Sequence, residues 1–454
     1  MIKNDKTEKA KILIHDKDTL LDRLGIIIQG KKFNQKYEVW FDADPSQQTL
    51  RSLLARDKNS LLPTVRTITQ CPYLNRKLEA VFKYGYNAET EVFLTRDVPL
   101  LCTLPHNPSR EEAISSLNYL MDFFKSFPFA SETDFSVALS ALLSAVNQVN
   151  LDNIPLHAFN APAAGTGKSL LADVISLITT GKTISVMSQG KDEAETEKRL
   201  HSAMLAGDTL ISLDNCDEPL GGDVLCQILT QPSIRIRPLG VSKLIDAEKT
   251  CMIVATGNNM VFEGDITRRT LSCELDAQME RPETRKFDFD IKERAVAERD
   301  NIIFHCMIIF KAHGTRANVT KSNTTPLGSF EKWSRLIRDP LVWLGMPNPV
   351  DSQKNIRATD PTLYAQQVLL ETLKKHFGEG KFKTRDIMNS PECRRDQYLL
   401  EALETLGCIN RGEISTASVG RHLKKINSKI INGLQLIQVG QSGNAADWKV
   451  CTIG

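Results

Sequence analysis

The chain has 454 residues, enough for roughly two to four domains and a large core. Hydrophobic residues at 41% and charged residues at 25% are ordinary globular values, so most of the chain is expected to fold. A formal charge of +2 with a pI near 8.0 neither demands nor excludes nucleic acid, and any basic surface must be local. The ten cysteines lie scattered, with no C-x-x-C pair and no Cys/His cluster at zinc spacing, which supports neither a disulfide framework nor a structural metal. The N-terminus is charged from the start and no run reaches the apolar length of a signal or a membrane span, so a cytoplasmic protein without a membrane partner is expected.

Residues 1–105 form an N-terminal accessory α+β region whose role stays open: short apolar runs (Lys11 to His15, Gly25 to Gln29, Tyr37 to Phe41) alternate with polar turns. Its last part reads as strands joined by tight turns, and Asp42 and Asp44 read as turn residues rather than metal ligands. Residues 106–150 turn helical, as a collar. Pro108, Ser109, Arg110, Glu111 and Glu112 make a helix start, and Leu117, Leu120, Phe123 and Phe124 follow at helical spacing. After a turn at Phe127-Pro128, a second helix is expected from Glu132 to Asn147.

The most informative stretch is LDNIPLHAFNAPAAGTGKSLLADVISLITTG, residues 151 to 181. A short apolar strand (Ile154 to Phe159) runs into a small-residue loop, and Gly-Lys-Ser opens an apolar helix ending at Gly181. A P-loop needs that order, because amides of a tight loop and of a helix N-terminus must point into one cavity to hold a polyphosphate. Ala164, Gly165, Thr166, Gly167, Lys168 and Ser169 would form the cradle. Lys168 would reach the β- and γ-phosphates of ATP, and the Ser169 hydroxyl would bind Mg²⁺. Pro162 stands where the motif has its first glycine.

Strand and helix alternate through residues 151–280, the mark of a parallel α/β sheet. Asp208 to Asn215 is an apolar strand ending in Asp214, which would sit beside the P-loop strand and bind the Mg²⁺ shell. Asn215 stands where many such ATPases carry a second acid, with Asp217 and Glu218 just beyond. The strand Thr250 to Thr256 leads to Gly257-Asn258-Asn259, where an amide, Asn258 before Asn259, suits a γ-phosphate or the attacking water. Arg268 and Arg269 follow, a pair able to reach a neighbour's nucleotide. Ser233 to Ile245 reads as a β-hairpin with Arg237 and Lys243 near its tip, placed to grip a phosphate backbone.

Asp290 to Ala312 is expected as one helix closing the domain at about residue 320. Residues 321–359 read as a linker with a short helix at Trp333, Leu336, Ile337 and Leu341. From 360 to 454 comes a compact module: helices Leu363 to Phe377, Thr384 to Met388, Gln397 to Leu406 and Ser418 to Asn427, then strands Leu434 to Val439 and Asp447 to Val450. Helices before a terminal hairpin suggest a winged helix, and Arg421, Lys424 and Lys425 on its last helix would contact DNA phosphates.

FNAPAAGTGKSLLADVIS, LISLDNCDEPL, RPLG, ATGNNM and GDITRRTL together resemble the superfamily 3 and minichromosome-maintenance branch of AAA+ helicases. More closely, they resemble replicative helicases of bacterial mobile elements such as phages, pathogenicity islands and chromosomal cassettes. The resemblance implies a P-loop AAA+-like α/β core and a hexameric ring that hydrolyses ATP with Mg²⁺ between subunits and translocates along single-stranded or forked DNA. By it, Lys168, Ser169, Asp214 and Asn258 act within one subunit and Arg268 or Arg269 acts in trans. Asn215 leaves the catalytic base unassigned. An ATP-switched origin-recognition or packaging factor with little unwinding is the alternative, and a repressor-like module a third reading. No carboxylate cluster of the primase kind stands in residues 1–105, so a separate primase or initiator is a further expected partner.

Overall fold

The computed structural model describes the chain except residues 1, 5–8, 12–16, 55–63, 99–103, 191, 237–243, 249–250, 286, 288, 317–323, 359, 411–412, 443–444 and 454. Ser109 and Ser131, both in extended backbone, each accept a hydrogen bond from the amide three residues on and start α1 (Arg110–Phe124) and α2 (Glu132–Val146). At α1, Glu112 returns the bond to the Ser109 amide at 2.7 Å, closing a capping box. Leu117, Leu120, Phe123 and Phe124 of α1 are buried, and α2 is buried along nearly its whole length, as a helix enclosed by other elements must be.

The chain then alternates β1 (Leu156–Ala161), α3 (Lys168–Thr180), β2 (Ser185–Ser188), α4 (Glu193–Leu205), β3 (Leu210–Asp214), α5 (Asp223–Thr230), β4 (Ser233–Ile236), β5 (Ile245–Glu248), β6 (Met252–Asn258) and β7 (Thr270–Glu274). Five of these strands form one parallel sheet in the order β2-β3-β6-β1-β7. Strand β1 is therefore hydrogen-bonded on both sides, and all six of its residues are buried. It starts at Leu156 rather than Ile154, because Pro155 has no amide to give a ladder. Strand β3, expected beside β1, is separated from it by β6. Strands β4 and β5 pair antiparallel as a hairpin outside the sheet, and its tip, with Arg237 and Lys243, lies outside the described residues.

Two expectations change beyond the sheet. The helix expected from Asp290 to Ala312 is two, α6 (Ile291–Ala297) and α7 (Arg299–Arg316); Glu298 between them leaves helical backbone, and its carboxylate accepts from Tyr119 Oη at 2.6 Å and Arg294 Nε at 2.8 Å. Residues 321–359 are no linker where they are described. Phe330, Trp333, Ile337 and Leu341 are buried in the same core as the sheet and α2, and Trp333 Nε1 donates to Ser144 Oγ at 2.8 Å.

In the N-terminal part, Gly25 to Ile27 close a helix (Lys17–Ile27), and Gly30–Asn34 pairs with Val39–Ala43, which puts Asp42 in a strand opposite Lys31 rather than in a turn. Short strands at Thr67–Thr69 and Val92–Leu94 are tied to the core through α7. Arg96 pairs with Asp300 at 2.5 Å, and Arg299 donates to the carbonyls of Ile178 and Thr179 at 2.7 and 2.8 Å.

The C-terminal module holds α8 (Pro361–Phe377), α9 (Thr384–Asn389), α10 (Pro391–Arg395), α11 (Gln397–Thr405) and α12 (Thr416–Lys425), then β8 (Ile430–Ile431), β9 (Leu434–Ser442) and β10 (Ala445–Thr452) in one antiparallel sheet. Its core is its own, with Leu370, Leu373, Leu399, Leu403, Val419, Leu423 and Trp448 buried together. The short α10 and a two-residue pairing of Ile409–Asn410 with Glu413–Ile414 have no counterpart in the sequence expectations. No helix among the described residues is long and apolar enough to cross a membrane.

His157 is wholly buried between β1 and α2, its Nδ1 donating to the Pro155 carbonyl and its Nε2 bonded to Ser140 Oγ, both at 3.0 Å. Burial pushes its pKa down from 6.5 to about 3, so the folded form keeps it neutral while the unfolded chain takes up a proton below 6.5. Stability is therefore lost as pH falls from 6.5 toward 3, at up to ~1.4 kcal/mol per pH unit from this residue. In His157→Gln the urea midpoint should depend less steeply on pH over that window than in wild type.

Candidate active site

The loop between β1 and α3 is shaped by two glycines in left-handed backbone, Gly165 at φ +77° and Gly167 at φ +104°. A Cβ on Gly165 would lie 3.0 Å from the backbone nitrogen and Cβ of Glu283, so the loop also lacks room for a side chain there. Pro162, Ala164 and Gly165 are exposed and Thr166 is buried. Gly167 leads into α3 without a side-chain cap, so the first amides of the helix keep no side-chain acceptor there.

Lys168, half-buried at the start of α3, donates to Asn258 Oδ1 at 2.6 Å, to the Ala163 carbonyl at 3.1 Å and to Thr166 Oγ1 at 3.4 Å. Burial holds its ammonium below the ordinary lysine pKa, and the carboxylates of Asp214 and Glu274 oppose that shift. Ser169 Oγ donates to Asp214 Oδ1 at 3.0 Å, and the Thr256 hydroxyl donates to the same oxygen. The structure thus brings together Lys168, Ser169, Asp214 and Asn258 from α3 and the ends of β3 and β6. A parallel α/β sheet binds its ligands at the carboxyl ends of the strands, where these four residues stand. Serine hydroxyl and aspartate carboxylate are both hard oxygen donors of the kind Mg²⁺ takes.

Three polar residues of this region go unnoticed in the sequence. Thr256 bridges from β6 to Asp214 and lies 3.4 Å from the Asn215 amide. Asn160, in β1, donates from Nδ2 to Glu274 Oε1 at 2.9 Å and accepts from the Met260 amide at 2.9 Å. Glu274 ends β7. A polar residue inside or ending an apolar strand is the one signal each carries. Asn215 is exposed in left-handed backbone at φ +54°, and its Nδ2 donates to Asp217 Oδ2 at 2.7 Å.

The two arginines part company. Arg269 is 9% exposed; its Nη1 donates to the Cys226 carbonyl and to Thr230 Oγ1 of α5, each at 2.7 Å, and its Nη2 to Asp265 Oδ2 at 2.6 Å. Both terminal nitrogens are bonded inside its own chain and its Nε is buried without a partner among the described residues, so Arg269 has no exposed donor to offer a neighbouring subunit. Arg268 pairs with the same Asp265 but keeps 45% of its side chain exposed, and Gln353 Nε2 holds the carbonyls of Arg268 and Thr270 at 2.8 and 3.2 Å. Farther off, Arg421, Lys424 and Lys425 share the exposed face of α12, opposite buried Val419 and Leu423. No group of three or more metal-binding side chains occurs among the described residues.

No protein-family model and no curated protein matches the chain. Among solved structures it is similar to the A-form apo structure of the NrS-1 C-terminal region, at 11% identity and a TM-score of 0.41, covering 97% of this chain and 100% of that one. Two further apo structures of the NrS-1 C-terminal region (305–718), one of them an A form, match with the same coverage at 13% and 12% identity and TM-scores of 0.37 and 0.36. Likeness this distant assigns neither an activity nor a ligand.

Because Asp214 favours the charged form of Lys168, removing that carboxylate should let burial act further. In Asp214→Asn, the Lys168 amine should titrate at lower pH than in wild type, read by NMR of ¹³C-methylated lysines with Lys168→Arg identifying the resonance.

Proposed function

We propose that the chain is an ATP-dependent DNA helicase, a ring-forming motor that unwinds DNA for replication of a mobile genetic element. The observation that carries the nucleotide half of this reading is the convergence of Lys168 with Asn258 and of Ser169 with Asp214 at the strand ends, in the order a P-loop ATPase of AAA+ type requires. Lys168 and the loop amides would hold the phosphates, and Ser169 and Asp214 would hold Mg²⁺. When bound, Mg²⁺ supplies neutralisation of charge on the β- and γ-phosphate oxygens. Asn258 would orient the attacking water or the γ-phosphate, and Arg268, the exposed member of its pair, would reach a neighbouring subunit's nucleotide.

The DNA half rests on two basic features. One is the hairpin of β4 and β5, whose expected tip residues Arg237 and Lys243 would track a strand. The other is the exposed Arg421, Lys424 and Lys425 face of α12, in a module that we read as a winged helix. A hexamer in the cytoplasm, with a separate primase or initiator, completes the reading. One observation favours the alternative of an ATP-switched DNA-binding protein: Asn215 next to Asp214 is an amide already bonded to Asp217, so no second acid stands at that position to speed hydrolysis.

Steady-state ATP turnover with and without single-stranded DNA, measured beside strand displacement on a forked duplex, separates the two. A motor should show DNA-stimulated turnover and displacement, both reduced at least ~100-fold in Lys168→Ala. Turnover near zero with nucleotide binding intact and no displacement would select the switch. For a ring, Arg268→Ala mixed with Lys168→Ala should recover part of the activity that each lacks alone; absence of recovery at every mixing ratio would remove Arg268 from the interface.

A further inference from the structure

Asn160 lies on β1, between β6 and β7 of the sheet, one residue before the strand ends, and is 9% exposed. Such an amide is costly to bury unless its groups are bonded. Its Nδ2 donates to Glu274 Oε1 on the neighbouring β7, and its Oδ1 accepts the amide of Met260, two residues past Asn258 on β6. Its backbone carbonyl accepts from the Leu275 amide at 2.9 Å. The next residue, Ala161, accepts the Asn259 amide at 3.1 Å, and Asn259 takes left-handed backbone at φ +48°. Glu274 is held in turn by Ser272 Oγ at 3.0 Å and, through its own amide, by Asp134 Oδ1 of α2 at 2.8 Å.

We infer that Asn160 is a positioning residue for ATP hydrolysis, braced by Glu274: it fixes the turn that ends β6 and so sets the Asn258 side chain against Lys168. This rests on the nucleotide-site reading above. The brace runs across three adjacent strands, β7 to β1 to β6, while Lys168 and Asn258 close the other end of the same circuit at 2.6 Å. A turn free to shift would carry Asn258 off the lysine without disturbing the glycine loop, so the expected loss is in turnover rather than in nucleotide affinity.

Asn160→Asp keeps an acceptor for the Met260 amide but sets a carboxylate against Glu274, whereas Asn160→Asp with Glu274→Gln restores a donor-acceptor pair with its sense reversed. Asn160→Asp should lower kcat about tenfold or more with KM for ATP changed less than about threefold, and the double variant should regain most of the loss. Without nucleotide, Asn160→Ala should speed amide hydrogen exchange at Met260 and leave exchange within β3 unchanged. Unchanged kcat in a folded Asn160→Asp, no recovery in the double variant, or unchanged exchange at Met260 would each overturn the brace. If Asn160→Asp does not fold, the double variant decides alone: it must fold and turn over ATP at a rate close to that of Glu274→Gln. Wild-type protein without ATP turnover would remove the nucleotide reading together with this one, while turnover in wild type with a silent Asn160→Asp removes only the brace.

Discussion

An ammonium group withdrawn from water needs an acceptor for each of its three protons, and Lys168 finds them on two separate pieces of chain, the loop before it and the end of β6. The Ala163 carbonyl belongs to the glycine loop, Thr166 to its buried corner and Asn258 to the end of β6. Hydrogen bonds to a charged group are worth roughly 1.5–3 kcal/mol each, and leaving one unmade costs more than an ordinary unpaired amide. The loop, α3 and the tip of β6 therefore have to sit in one relation to each other, and much of the surrounding architecture secures that relation.

The sheet order supplies it. With β6 inserted between β1 and β3, the residue that leads into the Asn258 tip can also reach Asp214, and Thr256 does so while Ser169 approaches the same carboxylate from α3. Behind the sheet, α2 and the segment around Trp333 fill a core shared with the strands. The helices before the sheet and the residues after α7 are thus part of the platform under the site, and a cavity opened at Trp333 would be felt by the strands through that packing.

What the sequence disclosed follows from how local each signal is. The glycine loop, the serine-capped helices and the apolar strands announce themselves within a dozen residues, and α1, α2 and the sheet strands β1, β3 and β6 lie within one or two residues of their expected ends, whereas β9 runs three residues past its own. Sheet order is not local: nothing near Asp214 tells that Thr250 to Thr256 will slip in beside β1. The same holds for Trp333, whose burial depends on Ser144 far upstream. Arg268 and Arg269 look alike as neighbours in the chain, and only the direction of α5 separates an arginine sealed against Cys226 and Thr230 from one facing water. Asn160 and Glu274, 114 positions apart, are invisible as a pair until two strands are laid side by side.

The Arg268 side chain has a thermodynamic corollary. Its backbone is pinned by Gln353 and by the buried Arg269 next to it, so little chain entropy remains to be lost when the guanidinium meets a partner. Yet that guanidinium is already paired with Asp265. Asp265 takes Nε and Nη2 and leaves Nη1 open, so an anion that engages Arg268 either shares the guanidinium with that carboxylate or exchanges places with it, and its net gain is set against an attraction already made in the same screened medium. A substituent that loosened Asp265 would sharpen the response to a weak anion, and one that tightened it would reserve Arg268 for a strongly charged one.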